Sequence, residues 1–284
     1  MPEAAPAPLP TPPLDAATVL LLRDAAPQLQ VFMVVRHQEI DFASGALVFP
    51  GGKVDAADAD AALIPYLDGA ETPDARERAF RVAAIREAFE ECGVLLARER
   101  ATSPRESGAR ATLPPGRLKT LEPYRQKLVE GEVTMLDLVT RENLTLAADL
   151  MTPYSHWVTP AFVPKRFDTW FFLARAPEDQ LAVHDGKESV DSVWVSPGDA
   201  LADLEAKRRV IIFPTRLNLM MLDESSSAEA AILAAQTRPI KTVEPWIEER
   251  EGKKWLSIPA DAGYEITQIP FAARRPAAGG GGKR

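Results

Sequence analysis

At 284 residues, with 46% hydrophobic and 26% charged residues, the chain has the make-up of a soluble globular protein and the length for one large domain or two small ones. Its net charge of -8 repels polyanions and so disfavours a nucleic-acid partner, and no apolar run approaches the roughly 18 to 20 residues of a membrane helix. A single cysteine excludes an intrachain disulfide and a cysteine zinc site, and the three histidines, His37, His156 and His184, show no paired metal spacing.

Residues 1–14 are rich in proline and alanine and lack the basic start and apolar core of a signal peptide, so they read as a disordered arm. Ala16–Arg23 and Gln30–Arg36 are apolar, β-branched runs and read as buried strands, followed by a short third strand at Ala46–Phe49 that Pro50-Gly51-Gly52 ends. Residues 53–71 are rich in Ala and Asp and read as an inserted loop with a helical turn. Thr72, as N-cap, and Pro73 open a helix that runs to Cys92 and stops at Gly93. Residues 97–150 form a second insertion. It is polar at first and then helical over Arg117–Leu150, with breaks near Gly131 and Asn143, and is expected to make a cap beside the pocket. Strands are expected at Trp157–Thr159, Phe167–Ala174, Ser192–Val195 and Val210–Ile212, and helices at Pro197–Lys207 and Thr215–Leu222. Residues 236–274 read as a C-terminal extension with a hairpin (Trp246–Glu249, Lys254–Ile258) turning at Glu251-Gly252, and 275–284 as a flexible Gly-rich tail. Strands and helices that do not alternate strictly predict an α+β layered fold with its main domain over residues 15–235.

The informative stretch is Arg86-Glu87-Ala88-Phe89-Glu90-Glu91-Cys92-Gly93-Val94. At about 100° per residue, Glu87, Glu90 and Glu91 fall within an arc of roughly 100°. Val82, Ile85, Phe89 and Cys92 lie opposite, so one face packs into a core while three carboxylates project from the other. Like charges at i, i+3 and i+4 repel by a few tenths of a kcal/mol per pair, and a merely solvated face more often mixes in lysines. A divalent cation among them gives the grouping a purpose, since Mg²⁺ takes oxygen ligands and completes its shell with water and phosphate oxygens. Phe49-Pro50-Gly51-Gly52 supplies a sharp turn where a main-chain carbonyl can face such an ion, and Arg86 is placed to hold a neighbouring carboxylate. Cys92 lies on the apolar side and reads as core, while His156 and His184 read as surface or structural residues.

Arg86, Glu87, Ala88, Glu90, Glu91, Gly93 and Val94, with Gly52 upstream, resemble the motif of the Nudix hydrolases: Gly, five residues, Glu, seven residues, then Arg-Glu-apolar-x-Glu-Glu-x-Gly-apolar. The chain departs from it in length. Arg86 follows Gly52 by 34 residues where the family has 14, and Asp58 stands six after Gly52 where the family has Glu. Either Asp58 or Glu71 is open for that acidic place. The resemblance implies an α/β/α sandwich around a mixed sheet, here with a helical insertion. It also implies hydrolysis of a diphosphate bond, with Mg²⁺ or Mn²⁺ held by Glu87, Glu90, Glu91 and the Gly52 carbonyl, and Arg86 as the orienting residue. The general base is left between Glu87 and Glu188, a loop glutamate before the Val193-Trp194-Val195 strand.

Trp157-Val158-Thr159-Pro160 with Pro164-Lys165-Arg166-Phe167-Asp168-Thr169 resembles a subgroup that also carries a long insertion in the motif and a helical insertion after it, and that includes animal peroxisomal enzymes similar to coenzyme A diphosphatases. By that resemblance the leading substrate is coenzyme A or acyl-coenzyme A, with Lys165, Arg166 and Arg36 as phosphate contacts. NADH, ADP-ribose and nucleotide sugars stand as alternatives, as do nucleoside triphosphate housecleaning, isomerisation, and a nucleotide-binding or interaction module that does not cleave. The expected partner is a small diphosphate metabolite, with no nucleic acid or membrane. The composition and the single cysteine fit a cytoplasmic location, and the terminal Gly282-Lys283-Arg284 is not a Ser-Lys-Leu-type peroxisomal address.

Overall fold

The computed structural model describes residues 11–36, 45–69, 74–100, 112–177 and 189–271. Two long strands, β1 (Leu14–Ala25) and β2 (Gln28–Arg36), form an antiparallel pair and are followed by the short β3 (Leu47–Val48) and β4 (Gly51–Lys53). Two 3-10 turns, Ala56–Ala59 and Ala61–Tyr66, lead to α1 (Ala75–Cys92). Then come β5 (Ala97–Glu99), α2 (Pro115–Val129), α3 (Met135–Glu142) and β6 (Leu144–Leu146). The sheet resumes with β7 (Thr152–Val158), β8 (Phe167–Arg175) and β9 (Ser189–Val195). Helices α4 (Pro197–Glu205), α5 (Phe213–Asp223) and α6 (Ala228–Thr237) precede β10 (Thr242–Val243), β11 (Trp246–Arg250), β12 (Lys253–Ser257) and β13 (Gln268–Pro270).

The main sheet runs β10-β7-β8-β1-β2-β3, with β4 alongside the first half of β1 and β9 alongside β2. It is mixed: β8 is parallel to β1 and β10 to β7, while the other pairs are antiparallel. Val19 and Leu21 point to one side and Leu20 and Leu22 to the other, and all four are fully buried. A strand that reads as a continuous apolar run is what a sheet covered on both faces requires. On the first face α1, α2 and α3 pack Ile85, Phe89, Leu121 and Leu138 against Val19, Phe32 and Phe172. On the second, α5 and α6 pack Leu217, Leu222 and Ala231 against Leu20, Met33 and Leu173. This is the α/β/α sandwich around a mixed sheet that the sequence implied. No helix among the described residues is long and apolar enough to cross a membrane.

Several local expectations change. The N-cap of α1 is Asp74, whose carboxylate accepts from the N–H groups of Arg76 and Glu77; Glu71, Thr72 and Pro73 lie outside the described residues. Between Asn143 and Leu150 the α-helix does not resume: Asn143 takes the left-handed conformation (φ 53°) that ends α3, Leu144–Leu146 pairs with β5, and only a 3-10 turn, Ala148–Leu150, follows. Val210–Ile212 contributes only a bridge from Val210 to Ala46. Helix α6 was missed, although Ser227 caps it and alanine, the best helix former, fills it. The hairpin gains a third strand, β13, and Ile258 and Tyr264 pack into the second core.

Candidate active site

The acidic helix is built by local rules at both ends. Asp74 caps the start, and Gly93 closes the end in the left-handed conformation (φ 70°), its N–H bonding the Ala88 and Phe89 carbonyls. Between them, the face that carries the carboxylates is not solvated. Glu87 and Glu91 are buried and Glu90 is partly so, because β4 and the turn Ala56–Ala59 lie over them. The sequence had this face projecting away from the core; the inserted segment after β4 covers it.

The two glycines of β4 permit the contact. A Cβ on Gly52 would fall 2.4 Å from Oε1 of Glu87, and one on Gly51 would fall 2.4 Å from the Ala17 carbonyl oxygen on β1. The Gly51 N–H donates to Oε2 of Glu91 at 3.0 Å. Main chain and two of the three glutamates therefore meet in a gap that only glycine leaves open.

Arg86 is the hub. Its Nη2 donates to the Lys53 carbonyl (2.7 Å) and to Oδ2 of Asp58 (2.9 Å), and its Nε donates to Oδ1 of Asp58 (3.1 Å). Nη1 donates to Oε1 of Glu87 (2.8 Å) and more weakly to Oε2 of Glu90 (3.3 Å). Asp58, only 3% exposed, also accepts from the Asp55 N–H at 2.8 Å and so stiffens its own turn. Of the two acidic residues Asp58 and Glu71, Asp58 is part of the cluster, and Glu71 lies outside the described residues.

One guanidinium faces four carboxylates, Asp55, Asp58, Glu87 and Glu90. Burial pushes the Glu90 carboxyl above the usual carboxylate range against the pull of Arg86, and burial raises Asp58 in the same way. Burial also opposes the charge on Arg86, but the Asp58 hydrogen bond and the charges of Glu87, Asp58 and Glu90 outweigh it and hold the guanidinium above its ordinary value. The cluster keeps an excess of negative charge.

Among the described residues no three Asp, Glu, His or Cys side chains converge as a ready-made metal cage; the Arg86 guanidinium sits between Glu87 and Glu90 instead. The residues nevertheless fit a hard divalent cation. The donors are oxygens, the charge is in excess, and the Cβ-free Gly52 brings main chain against a carboxylate. Mg²⁺ in particular takes one or two carboxylates and fills its remaining positions with water and substrate phosphate oxygens, so a closed protein cage is not required.

Other residues singled out in the sequence lie elsewhere. Arg36 ends β2, opposite Ser189 at the start of β9; its side chain and Glu188 are outside the described residues, as are His37 and His184. Arg166 is buried and engaged on three sides, donating to the Thr159 and Thr11 carbonyls and to Glu244, which ties the start of β8 to its surroundings. Lys165 is exposed, its ammonium 5.8 Å from the Phe167 ring centroid. Cys92 is core. His156 is buried, stacked on Trp170 at 4.4 Å and bonded to Asp168 and Thr242. Sequence reasoning left His156 without a partner because β7, β8 and β10 meet only in the folded sheet.

A family model described as the NUDT19 Nudix domain matches residues 67–222, a span that holds Arg86 to Val94 and the Trp157 to Thr169 segment but begins after Gly52. The acyl-coenzyme A diphosphatase NUDT19 of Homo sapiens is 28% identical over 282 residues, covering 87% of this chain and 71% of that protein. Its counterpart in Gallus gallus is 26% identical, covering 82% and 74%. Among solved structures, the crystal structure of a NUDIX hydrolase from Alicyclobacillus acidocaldarius superposes with a TM-score of 0.66 at 27% identity, over 81% of this chain and 99% of that one. With a family model matching more than half its length, over the acidic helix, the helical insertion and strands β5 to β9, the chain belongs to the Nudix hydrolases, in the group defined by the NUDT19 Nudix domain.

Proposed function

We propose that this hydrolase cleaves the diphosphate bond of coenzyme A or an acyl-coenzyme A, giving a 4′-phosphopantetheine and 3′,5′-ADP, with Mg²⁺ or Mn²⁺ as cofactor. The observation that carries the chemistry is the buried cluster in which Glu87 and Glu91 meet Gly51 and Gly52 while Arg86 braces Glu87 and Glu90. Support for the substrate comes from the two acyl-coenzyme A diphosphatases that resemble the chain over most of its length.

In this reading Glu87, Glu90, Glu91 and the Gly52 carbonyl hold the cation. The ion supplies charge neutralisation for the diphosphate and a water acidic enough to attack at neutral pH. Arg86, fixed by Asp58 and the Lys53 carbonyl, keeps Glu87 and Glu90 in orientation. Water adds to one phosphorus, the bridging P–O bond breaks with its electrons going to the second phosphate, and Glu87 or Glu188 takes the proton. Lys165 and Arg36 are the proposed contacts for the remaining phosphates. Arg166 is the weaker candidate, because its guanidinium is already engaged.

The test is a substrate panel with Mg²⁺ or Mn²⁺, read by mass spectrometry of the products: coenzyme A, acyl-coenzyme A, NADH, ADP-ribose, nucleotide sugars and nucleoside triphosphates. Metal-dependent release of phosphopantetheine is the expected result. Silence on both coenzyme A forms with cleavage of another member would discard the substrate and keep the chemistry. Silence throughout would point to a module that binds without cleaving.

A further inference from the structure

We propose that Arg125, on α2 of the helical insertion, is a positioning residue for the hydrolysis, holding the main chain of the two glutamates that end the acidic helix. Its Nε donates to the Glu90 carbonyl at 2.9 Å and its Nη2 to the Glu91 carbonyl at 3.0 Å. Nη1 lies 3.4 Å from Oε1 of Glu122 on the same helix, which steadies the fork.

The choice of carbonyls follows from how α1 ends. The last carbonyls of a helix lack intrahelical partners. The Gly93 closure takes those of Ala88 and Phe89, and the next two in line, Glu90 and Glu91, are the ones Arg125 reaches. A guanidinium there also complements the negative end of the helix dipole. Gly93 leaves the room: a Cβ on it would stand 3.2 Å from Nη1 of Arg125, tighter than an ordinary contact.

Glu90 and Glu91 are therefore gripped from two directions. Their carboxylates meet Arg86 and the Gly51 N–H on the β4 side, and their carbonyls meet Arg125 on the insertion side. A last helical turn frays easily. A donor pair from a separate helix, itself packed into the same core through Leu121 and Leu128, restrains that turn and with it the direction of both carboxylates. The insertion thus does work at the site without contributing a ligand. This inference rests on the reading that Glu90 and Glu91 hold the cation.

The experiment compares the full chain with Arg125→Met, Arg125→Lys and Arg117→Met. Arg117 is the control: it belongs to the same insertion but ties it to Glu99, Glu142 and the Glu142 carbonyl rather than to α1. Mn²⁺ binding is read from loss of the free-ion EPR signal without substrate, alongside kcat, KM and Tm. Arg125→Met is expected to weaken Mn²⁺ binding by roughly tenfold, the scale of losing a residue that orients a metal ligand. Its kcat falls while KM barely moves, and Arg125→Lys, keeping the charge and one bond, recovers part of both. Arg125→Lys carries the comparison alone if the Met variant does not fold, and must then lie between wild type and a full loss. Arg117→Met lowers Tm and leaves Mn²⁺ affinity unchanged. Wild-type Mn²⁺ affinity and kcat in both Arg125 variants, or an equal loss in Arg117→Met, overturns the clamp. A wild-type protein that binds no Mn²⁺ overturns the metal reading beneath it as well.

Discussion

Adjacent glycines on β4 look interchangeable, but the atoms they touch differ in kind. A methyl on Gly51 would meet the Ala17 carbonyl oxygen and Thr18 Cα, main-chain atoms of the paired strand that cannot yield without breaking the ladder. Gly51→Ala is therefore expected to destabilise the fold by about 3 kcal/mol, the upper end for overpacking, seen as a lower urea midpoint. The atoms nearest a methyl on Gly52 are those of the Glu87 carboxylate, the end of a side chain that Arg86 braces but that can turn aside where main chain cannot. Gly52→Ala should then fold with a near-normal Tm and lose turnover, because the displaced carboxylate is one of the three proposed to hold the cation. Equal loss of stability in both, with activity intact in Gly52→Ala, would sink that assignment. Glu91→Gln is the complementary test. The amide oxygen can still accept from the Gly51 N–H, so the fold survives, while losing the charge should cut kcat by roughly 100-fold or more. The same holds for Glu90→Gln, and full activity in both variants would remove the metal from this helix.

At the level of elements, the insertion between β5 and β6 is core rather than ornament. Leu113, Leu121, Leu138 and Val139 are buried in the cluster that includes Val82 and Phe89 of α1. Deleting it would leave α1 bare on one side. Leu121→Ala, which empties a fully buried site, should cost about 3 kcal/mol in chemical denaturation. At the other end of α1, Asp168 on β8 links Arg76 of the helix to His156 of β7, and Arg76 also binds Asp15 of β1. Burial alone would raise Asp168, but its hydrogen bonds from His156 and Arg76 prevail and hold it below the usual carboxylate range. A group depressed in the folded state contributes stability above its unfolded value of about 4 and loses it as pH falls through the folded value. The stability gap between wild type and Asp168→Asn should therefore be constant near neutrality and close progressively below about pH 5. A gap that widened on acidification would contradict the sign.

For the molecule as a whole, the sequence was legible where one element carries the whole signal and opaque where separate elements meet. Arg86 to Gly93 declared itself because helical spacing puts Glu87, Glu90 and Glu91 together and a glycine ends the run. The place of Asp58 beside Arg86 was not legible, since only the path of the insertion brings the two together. Arg125 gave no signal at all, for its partners are carbonyl groups, which every residue has. The same division governs charge. A net charge of -8 argues against polyanions on average, yet the fold gathers part of that excess around a single arginine, which is where the proposed cation would sit. An ion that binds only the native state stabilises it by mass action, about 2.7 kcal/mol at a hundred times its dissociation constant. For a chain of this size that amounts to a rise in Tm of roughly 5 to 10 °C with Mn²⁺. Sodium chloride at matched ionic strength separates this from screening of the acidic surface. The rise should vanish in a Glu90→Gln, Glu91→Gln double variant, since surface carboxylates that bind ions weakly remain in both proteins. A rise of the same size in the double variant would place the ion elsewhere on the molecule, and no rise in wild type would leave the cluster as a structural knot around Arg86.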